Sequence, residues 1–226
     1  MLIVNFTLAN VNRTILKSVF PVRKYEKQGD YKMSENSKPG FSAKKPGTKL
    51  TILTITRVAL SAAIICVLGP LSFHIPISPV PISLGILGIF LAVYVNGWLF
   101  GTLSVLIYLL IGFIGVPVFA DFTAGITKLA GPTGGYLIGY IPLALIAGFF
   151  ISKFERKIPL HIQGMVIGTL VCYAFGTLWL AVSLHMSFGA ALMAGVVPYI
   201  PADAVKMAIS IALGIPVRSA IRKISA

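Results

Sequence analysis

Residues 82–114 read ISLGILGIFLAVYVNGWLFGTLSVLIYLLIGFI and contain no charged side chain. An apolar run of about 20 residues is long enough to cross the hydrocarbon core of a bilayer as a helix. Asn96-Gly97 divides the run, and an Asn-Gly pair is a strong turn signal. The stretch therefore predicts two transmembrane helices, at about 82–95 and 98–114, joined by a tight turn.

The same apolar pattern continues on both sides of this stretch. The whole chain is 57% hydrophobic and 11% charged, whereas soluble domains are roughly 45–50% apolar and about 25% charged. We therefore expect an all-α integral membrane protein that crosses the cell membrane six times within residues 50–226. The other helices are predicted at about 50–68, 135–152, 160–184 and 202–222, with a short extra helix at 189–197.

Residues 1–49 differ from the rest of the chain in composition. The first 50 residues hold ten Lys and Arg against three acids, and long stretches are polar and rich in turn-forming residues. Such a composition cannot bury enough apolar surface to fold. We expect a disordered, basic, cytoplasmic tail without a secretory signal. Met33 offers a second start, and residues 1–32 would be absent if translation began there.

Basic residues set the expected orientation, because cytoplasmic connections of membrane proteins are enriched in Lys and Arg. Such residues cluster in the connection at 153–157 and at 218–223 near the C-terminus. The three connections on the other side contain one basic residue, Lys128. Both termini are therefore expected in the cytoplasm. This pattern also accounts for the formal charge of +13 without nucleic-acid binding, for which no motif is present.

Acidic residues are rare after residue 50, where only Asp121, Glu155 and Asp203 occur. Glu155 lies among basic residues of the expected cytoplasmic connection, where water can solvate it. An ionised group at membrane depth costs ~2.5–3.5 kcal/mol or more and usually serves a site or an ion pair. Asp121 and Asp203 are therefore the acidic candidates for a binding site.

Asp203 and Lys206 are three residues apart, so they share one face of the last predicted helix. Pro198 and Pro201 precede them, and proline favours the first helical turn. Asp203 then lies near the helix N-terminus, where the dipole stabilises a carboxylate. The pair is either a structural ion pair or a polar face for a ligand entering from outside. In that role Lys206 would bind a carboxylate, and Asp203 would accept hydrogen bonds from N–H groups.

The connection at 116–136 contains Asp121 and is too apolar for an ordinary aqueous loop. Non-helical backbone at membrane depth is tolerated only where protein or a cavity surrounds it. We therefore expect a partly buried or re-entrant segment. Its glycines allow close backbone approach, and its aromatic side chains either line an apolar pocket or pack in the core. These residues are Gly131, Gly134, Gly135, Phe119, Phe122 and Tyr136.

The sequence contains no motif for a nucleotide-driven motor, since Gly-x-x-x-x-Gly-Lys-Ser/Thr is absent. Neither His-Glu-x-x-His nor Gly-x-Ser-x-Gly supports hydrolysis. The histidines and cysteines are scattered singly, so no metal site, cofactor or catalytic residue is expected. If the chain carries a solute across the membrane, it relies on partner subunits or lets the solute through passively.

Four motifs after residue 50 resemble motifs of a known family. They are GPTGGYLIG at 131–139, PVPISL at 79–84, GVPVF at 115–119 and PADAVK at 201–206. In their order along the chain they resemble motifs of the BioY family, the biotin-capturing S components of energy-coupling factor (ECF) transporters. The most specific is the first, which is similar to the family signature GPTGGY-x-x-G at the start of the fourth helix.

The resemblance implies a six-helix fold that binds biotin near the outer face of the membrane. Asp203 and Lys206 match the polar ligand-binding positions of the last helix. Asp121 falls where family members often place an asparagine that contacts the ligand. The substrate-binding residues implied by the remaining motifs are Gly131, Thr133, Gly134, Gly135, Tyr136 and Phe119.

The resemblance also implies protein partners. Ala59 and Ala63 match the small-residue motif with which the first helix docks on the transmembrane coupling subunit. ATP would then be hydrolysed by two separate ATPase subunits and not by this chain. Ala202 and Gly85 depart from the glycine and glutamine that many members carry there. An S component for a different vitamin therefore stays open as an alternative, as does a stand-alone biotin transporter.

Overall fold

The computed structural model describes residues 52–74, 80–154 and 157–225. The tail predicted at 1–49 lies outside the described residues. Two 3₁₀ turns, at Ala120–Phe122 and Val197–Tyr199, connect the longer elements. Those elements are α1 (Ile52–Leu68), β1 (Ser72–Phe73), β2 (Ile82–Ser83), α2 (Gly85–Phe113), α3 (Ile126–Ala130), α4 (Gly134–Lys153), α5 (Ile158–Ser183), α6 (Phe188–Gly195) and α7 (Ile200–Ser225).

Helix α2 reverses its direction at Gly97, which has φ 74° and ψ −171°. Positive φ is a conformation that glycine adopts without steric cost. A Cβ built on Gly101 would lie 2.8 Å from the Cα of Val93, although eight residues of continuous helix span ~12 Å along the axis. The segments 85–96 and 98–113 therefore run side by side. This confirms the two helices and the tight turn predicted from the sequence.

Six helical segments of the described residues match the six predicted crossings. Helices α2, α4 and α5 are long and apolar enough to cross a membrane, as is the continuous stretch Phe188–Lys223. Helix α1 is apolar but shorter, and α2 supplies two segments because of its reversal. The predicted ends of the last three crossings agree with α4, α5 and α7 to within three residues. The predicted extra helix at 189–197 is confirmed as α6.

Glycines allow α4 and α5 to pack closely. A Cβ on Gly135 would lie 2.2 Å from the Cβ of Trp179, and one on Gly176 would lie 2.2 Å from the ring of Tyr136. Small residues at helix interfaces in membranes permit this approach of the backbones. Large apolar side chains cover the outer surfaces of the helices instead, as a hydrocarbon environment requires.

The connection between α1 and α2 contains a short antiparallel hairpin. Ser72 pairs with Ser83, and Phe73 pairs with Ile82. The Oγ of Ser83 donates a hydrogen bond of 2.7 Å to the carbonyl of Gly69, which fixes the returning strand against the end of α1. These paired strands were not predicted from the sequence.

Candidate substrate-binding cleft

Two small neighbouring cavities lie between the connections 80–83, 119–133 and 195–199 and the adjoining helix ends. Because the cavities share several lining residues, they form two lobes of one cleft. The shared residues are Val80, Pro81, Ser83, Tyr136 and Tyr140.

The two lobes differ in the side chains that only one of them contains. The lysine lobe is named for Lys128, and its walls also include Thr133 from the N-terminal end of α4. The ion-pair lobe is named for Asp203 and Lys206. The other residues of the lysine lobe are Tyr108, Phe119, Ala120 and Leu137, and those of the ion-pair lobe are Ile82, Ile86, Tyr173, Gly195 and Tyr199.

Asp203 lies in the first turn of α7, and Lys206 follows one turn later. The Nζ of Lys206 donates to Asp203 Oδ1 at 2.8 Å. The hydroxyl of Tyr173 donates to Asp203 Oδ2 at 2.5 Å. Asp203 is 3% exposed and Lys206 is 4% exposed. Each carboxylate oxygen therefore has one donor, and buried charges require such pairing.

The ion-pair lobe can recognise a polar group that is both donor and acceptor. The ammonium of Lys206 has three N–H donors, of which Asp203 takes one, and the carboxylate of Asp203 has further acceptor sites. The two charges cancel, so the lobe carries no net charge. Within the described ranges, no three His, Cys, Asp or Glu side chains come close enough to hold a metal ion.

Tyr173 was missed by the sequence reasoning. It lies in the middle of the apolar helix α5, and nothing in its spacing relates it to α7. The available signal was chemical, because a buried tyrosine hydroxyl usually finds a hydrogen-bond partner. Among the described residues, Asp203 is one of only two acids that could supply that partner.

Tyr136 lines both lobes, which is one of the two alternatives given for the aromatic residues of this segment, and its contact with a ligand stays a prediction. Its hydroxyl donates to the carbonyl of Gly195 at 2.9 Å, which joins α4 to the end of α6. Phe119 is fully buried in the wall of the lysine lobe. Its ring meets the ring of Tyr108 edge-on, with 5.6 Å between centroids.

The predicted glycines of the GPTGGY motif shape the wall and do not line either lobe. The carbonyl of Gly131 accepts a hydrogen bond of 2.9 Å from Trp179 Nε1. A Cβ on Gly134 would lie 1.7 Å from the carbonyl oxygen of Leu129. At Gly135, a Cβ would lie too close to Trp179, as described above. Their direct contact with a ligand stays a prediction, and the structure shows a packing role.

Asp121 does not line either lobe, although the adjacent Ala120 lines the lysine lobe, and it is held by residues 72–74. The hydroxyl of Ser72 donates to Asp121 Oδ1, and His74 Nε2 lies 3.1 Å from Asp121 Oδ2. The backbone N–H of Asp121 donates to Ser72 Oγ at 3.0 Å. The structure therefore does not bring Asp121 together with Asp203 in one cluster. Its ligand contact stays a prediction.

The suggestion that Phe122 lines a pocket is wrong. Asp121 and Phe122 both adopt positive φ, 62° and 55°, in the turn that follows the buried Phe119. This turn directs the ring of Phe122 outward, where it is 67% exposed. Composition alone does not distinguish the buried aromatic from the exposed one, because the local backbone decides it.

Ala59 and Ala63 both lie on the exposed face of α1. The opposite face of this helix is buried through Val58, Ala62 and Ile65. The small residues are therefore placed where another helix could approach closely. Partner docking at this face stays a prediction.

Comparisons with known proteins agree with this architecture. A family model described as the BioY family matches residues 41–223. Biotin transporter BioY2 of Lactococcus lactis subsp. cremoris is 38% identical over 160 residues, covering 70% of this chain and 85% of that protein. Biotin transporter BioY of Thermotoga maritima is 38% identical over 136 residues, covering 60% and 79%.

A solved structure extends the similarity to three dimensions. It is a crystal structure of the S-component for biotin from an ECF-type ABC transporter, with a TM-score of 0.69 and 28% sequence identity. The match covers 74% of this chain and 92% of that chain. The family model alone spans most of the described residues. The chain therefore belongs to the BioY family.

Proposed function

We propose that this chain captures biotin at the outer face of the cell membrane as the substrate-binding S component of an ECF-type transporter. One observation carries the proposal, namely the buried Asp203–Lys206 pair in a cleft with mostly apolar and aromatic walls. Charges placed within a membrane protein are costly and usually mark a substrate site. The biotin transporters among its relatives support the choice of ligand.

The chemistry of biotin suits the ion-pair lobe. Its ureido group has two N–H donors and one carbonyl acceptor. The carboxylate of Asp203 can accept from an N–H, while the ammonium of Lys206 can donate to the carbonyl. Tyr136 and Tyr140 line this lobe and supply aromatic surface for the apolar tetrahydrothiophene ring of the ligand.

The position of the cleft among the crossings supports capture from outside. Its walls come from the connections between the first and second, third and fourth, and fifth and sixth crossings, and from adjoining helix ends. In a chain with six crossings these connections share one side of the membrane. The basic segments 153–157 and 218–223 belong to the other side. By the positive-inside rule that side is cytoplasmic, together with both termini.

The partners follow from the same proposal. The sequence contains no Gly-x-x-x-x-Gly-Lys-Ser/Thr motif, which is the phosphate-binding loop of nucleotide-driven motors, so two ATPase subunits would supply the energy through a transmembrane coupling subunit. The exposed face of α1 with Ala59 and Ala63 would contact that coupling subunit. Small side chains there allow close helix packing within the bilayer.

The first test is titration calorimetry of the purified full chain in detergent with biotin. We expect saturable binding at one site per chain. Lys206→Ala should weaken binding by about tenfold or more, because it removes a charged hydrogen-bond donor. A folded wild-type protein that does not bind biotin would contradict the proposal.

A second candidate is an S component for a different vitamin, and Gly85 is the observation that favours it. A Cβ at Gly85 would lie 3.2 Å from Ser83 Oγ and 3.9 Å from the hydroxyl of Tyr140. Both of these residues line the cleft, so the side chain that many family members carry at this position would begin at its wall. The same calorimetry with other vitamins distinguishes the two candidates. Biotin uptake by liposomes that contain this chain alone would instead indicate a stand-alone transporter.

A further inference from the structure

We propose that Lys128 binds the carboxylate of the captured ligand, which then spans the cleft from the ion-pair lobe to the lysine lobe. The inference rests on the proposed function and extends it by assigning the two ends of the ligand. Biotin is a molecule of the required kind, with a neutral ureido head, an apolar body and a carboxylate at the far end of its side chain.

The charges around the cleft are the first support. Lys128 and Lys206 are the two basic residues among the cleft-lining residues of the described chain. The charge of Lys206 is already balanced by Asp203 at 2.8 Å. For the side chain of Lys128, the described ranges show neither a hydrogen bond nor an ion pair. The lysine lobe therefore carries a positive charge that no carboxylate of the described residues compensates.

The acids of the described residues are both engaged elsewhere. Asp203 accepts from Lys206 and Tyr173. Asp121 accepts from Ser72 and lies 3.1 Å from His74 Nε2. Neither carboxylate pairs with Lys128. A ligand carboxylate is thus the anion that would complete the lysine lobe.

The ion-pair lobe is unfavourable for that carboxylate. A ligand anion bound to Lys206 would approach the carboxylate of Asp203, and like charges at short range repel strongly where water is scarce. A neutral donor and acceptor group avoids this repulsion and still uses both charged residues. Electrostatics therefore favours one orientation of the ligand over its reverse.

The neighbours of Lys128 fit a carboxylate as well. Lys128 lies on the short helix α3 and is partly exposed, so it can reach a ligand without the cost of a fully buried charge. The hydroxyl-bearing residues Thr133 and Tyr108 line the same lobe. Hydroxyl groups can donate further hydrogen bonds to a carboxylate. The alternative is an ordinary surface lysine that extends into water or lipid headgroups.

The test compares biotin with biotin methyl ester, which lacks the negative charge, on the full chain in detergent. We expect the wild-type protein to bind biotin more tightly than the ester. Lys128→Gln should weaken biotin binding by about tenfold through the loss of one charged hydrogen bond, and should leave ester binding unchanged. Lys128→Arg should retain the preference for biotin, because it keeps the charge.

Lys157→Gln is the matched control, since it removes the same charge from an exposed lysine that lines neither lobe. It should bind both ligands as the wild type does. Unchanged biotin binding by Lys128→Gln would overturn the inference and leave the proposed function standing. An equal loss for biotin and ester would also overturn it, because the charge would then not be the cause. If the wild type binds neither ligand, the proposed function fails and the inference fails with it.

Discussion

The two acids of the described chain, Asp203 and Asp121, resemble each other in sequence context and differ in structural setting. Each carboxylate has two side-chain neighbours at its oxygens. Asp203 is buried in a transmembrane helix and lines the cleft. Asp121 is part of an irregular connection, partly exposed, and outside both lobes. Both residues were chosen as candidate site residues because acids are rare in this part of the chain. Whether each carboxylate reaches the cleft depends on the backbone element to which it belongs.

The largest expected effect is that of Asp203→Ala. The change leaves the ammonium of Lys206 buried without its partner, and breaking a buried pair in this way costs about 3–5 kcal/mol. We expect a marked fall in the thermal unfolding temperature in detergent and loss of biotin binding.

The double variant Asp203→Ala/Lys206→Met serves as its control. With both charges removed, stability should recover while biotin binding stays absent. If Asp203→Ala alone were as stable as the wild type, the pair would not be buried as the structure shows.

Tyr173→Phe should have the next largest effect. It removes the hydrogen bond of 2.5 Å to Asp203 and preserves the ring, and a hydrogen bond to a charged group contributes ~1.5–3 kcal/mol. We expect lower stability by that amount and weaker biotin binding in calorimetry. Tyr199→Phe, which removes a tyrosine hydroxyl of the same lobe that donates to the carbonyl of Val80, provides a comparison. An equal change in both variants would argue against a specific role of the Asp203 contact.

Asp121 should tolerate substitution better than Asp203. Asp121→Asn retains an acceptor for Ser72 and suits the positive φ of this position, since Asn tolerates it well. We expect a loss of stability below about 1 kcal/mol, as for a partly exposed pair, and biotin affinity within about threefold, which is less than 1 kcal/mol. A loss of binding comparable to that of Asp203→Ala would show that Asp121 contacts the ligand after all.

A substitution remote from both carboxylates should change neither the stability of the chain nor its affinity for biotin. Ala59→Leu enlarges an exposed residue of α1, so biotin affinity of the isolated chain should equal that of the wild type. Biotin uptake by cells that contain the ECF subunits should fall, because the added bulk would keep the coupling helix away. Ala212→Leu, which makes the same change at an exposed alanine of α7 that lines neither lobe, is the control. Intact uptake with Ala59→Leu would refute docking at this face.

The helices were predicted well from the sequence because their signals are local: apolar runs, turn residues, and stretches without charged residues. The reversal at Gly97 followed from one dipeptide, and the i,i+3 spacing of Asp203 and Lys206 placed them on one face. Tyr173 could not be found in this way, because its partner is 30 residues away and the contact depends on how α5 and α7 are placed.

The connections were predicted less well than the helices. Phe119 and Phe122 have the same chemistry and nearly the same position in the chain, yet one is buried and the other exposed. The positive φ angles at Asp121 and Phe122 account for this difference. The residue types at these positions did not predict that backbone conformation. The β1–β2 hairpin was missed for a similar reason, since two-residue strands leave no alternating pattern.

The reversal at Gly97 also bears on how the chain enters the membrane during synthesis. The segment 85–96 spans ~18 Å as a helix, well short of the ~30 Å hydrocarbon core. Such a segment is a poor insertion signal by itself. Its tight turn ties it to the longer segment 98–113, so the two are expected to pass from the translocation machinery into lipid as one helical hairpin. Because the turn is so short, the two crossings are expected to insert into the membrane together.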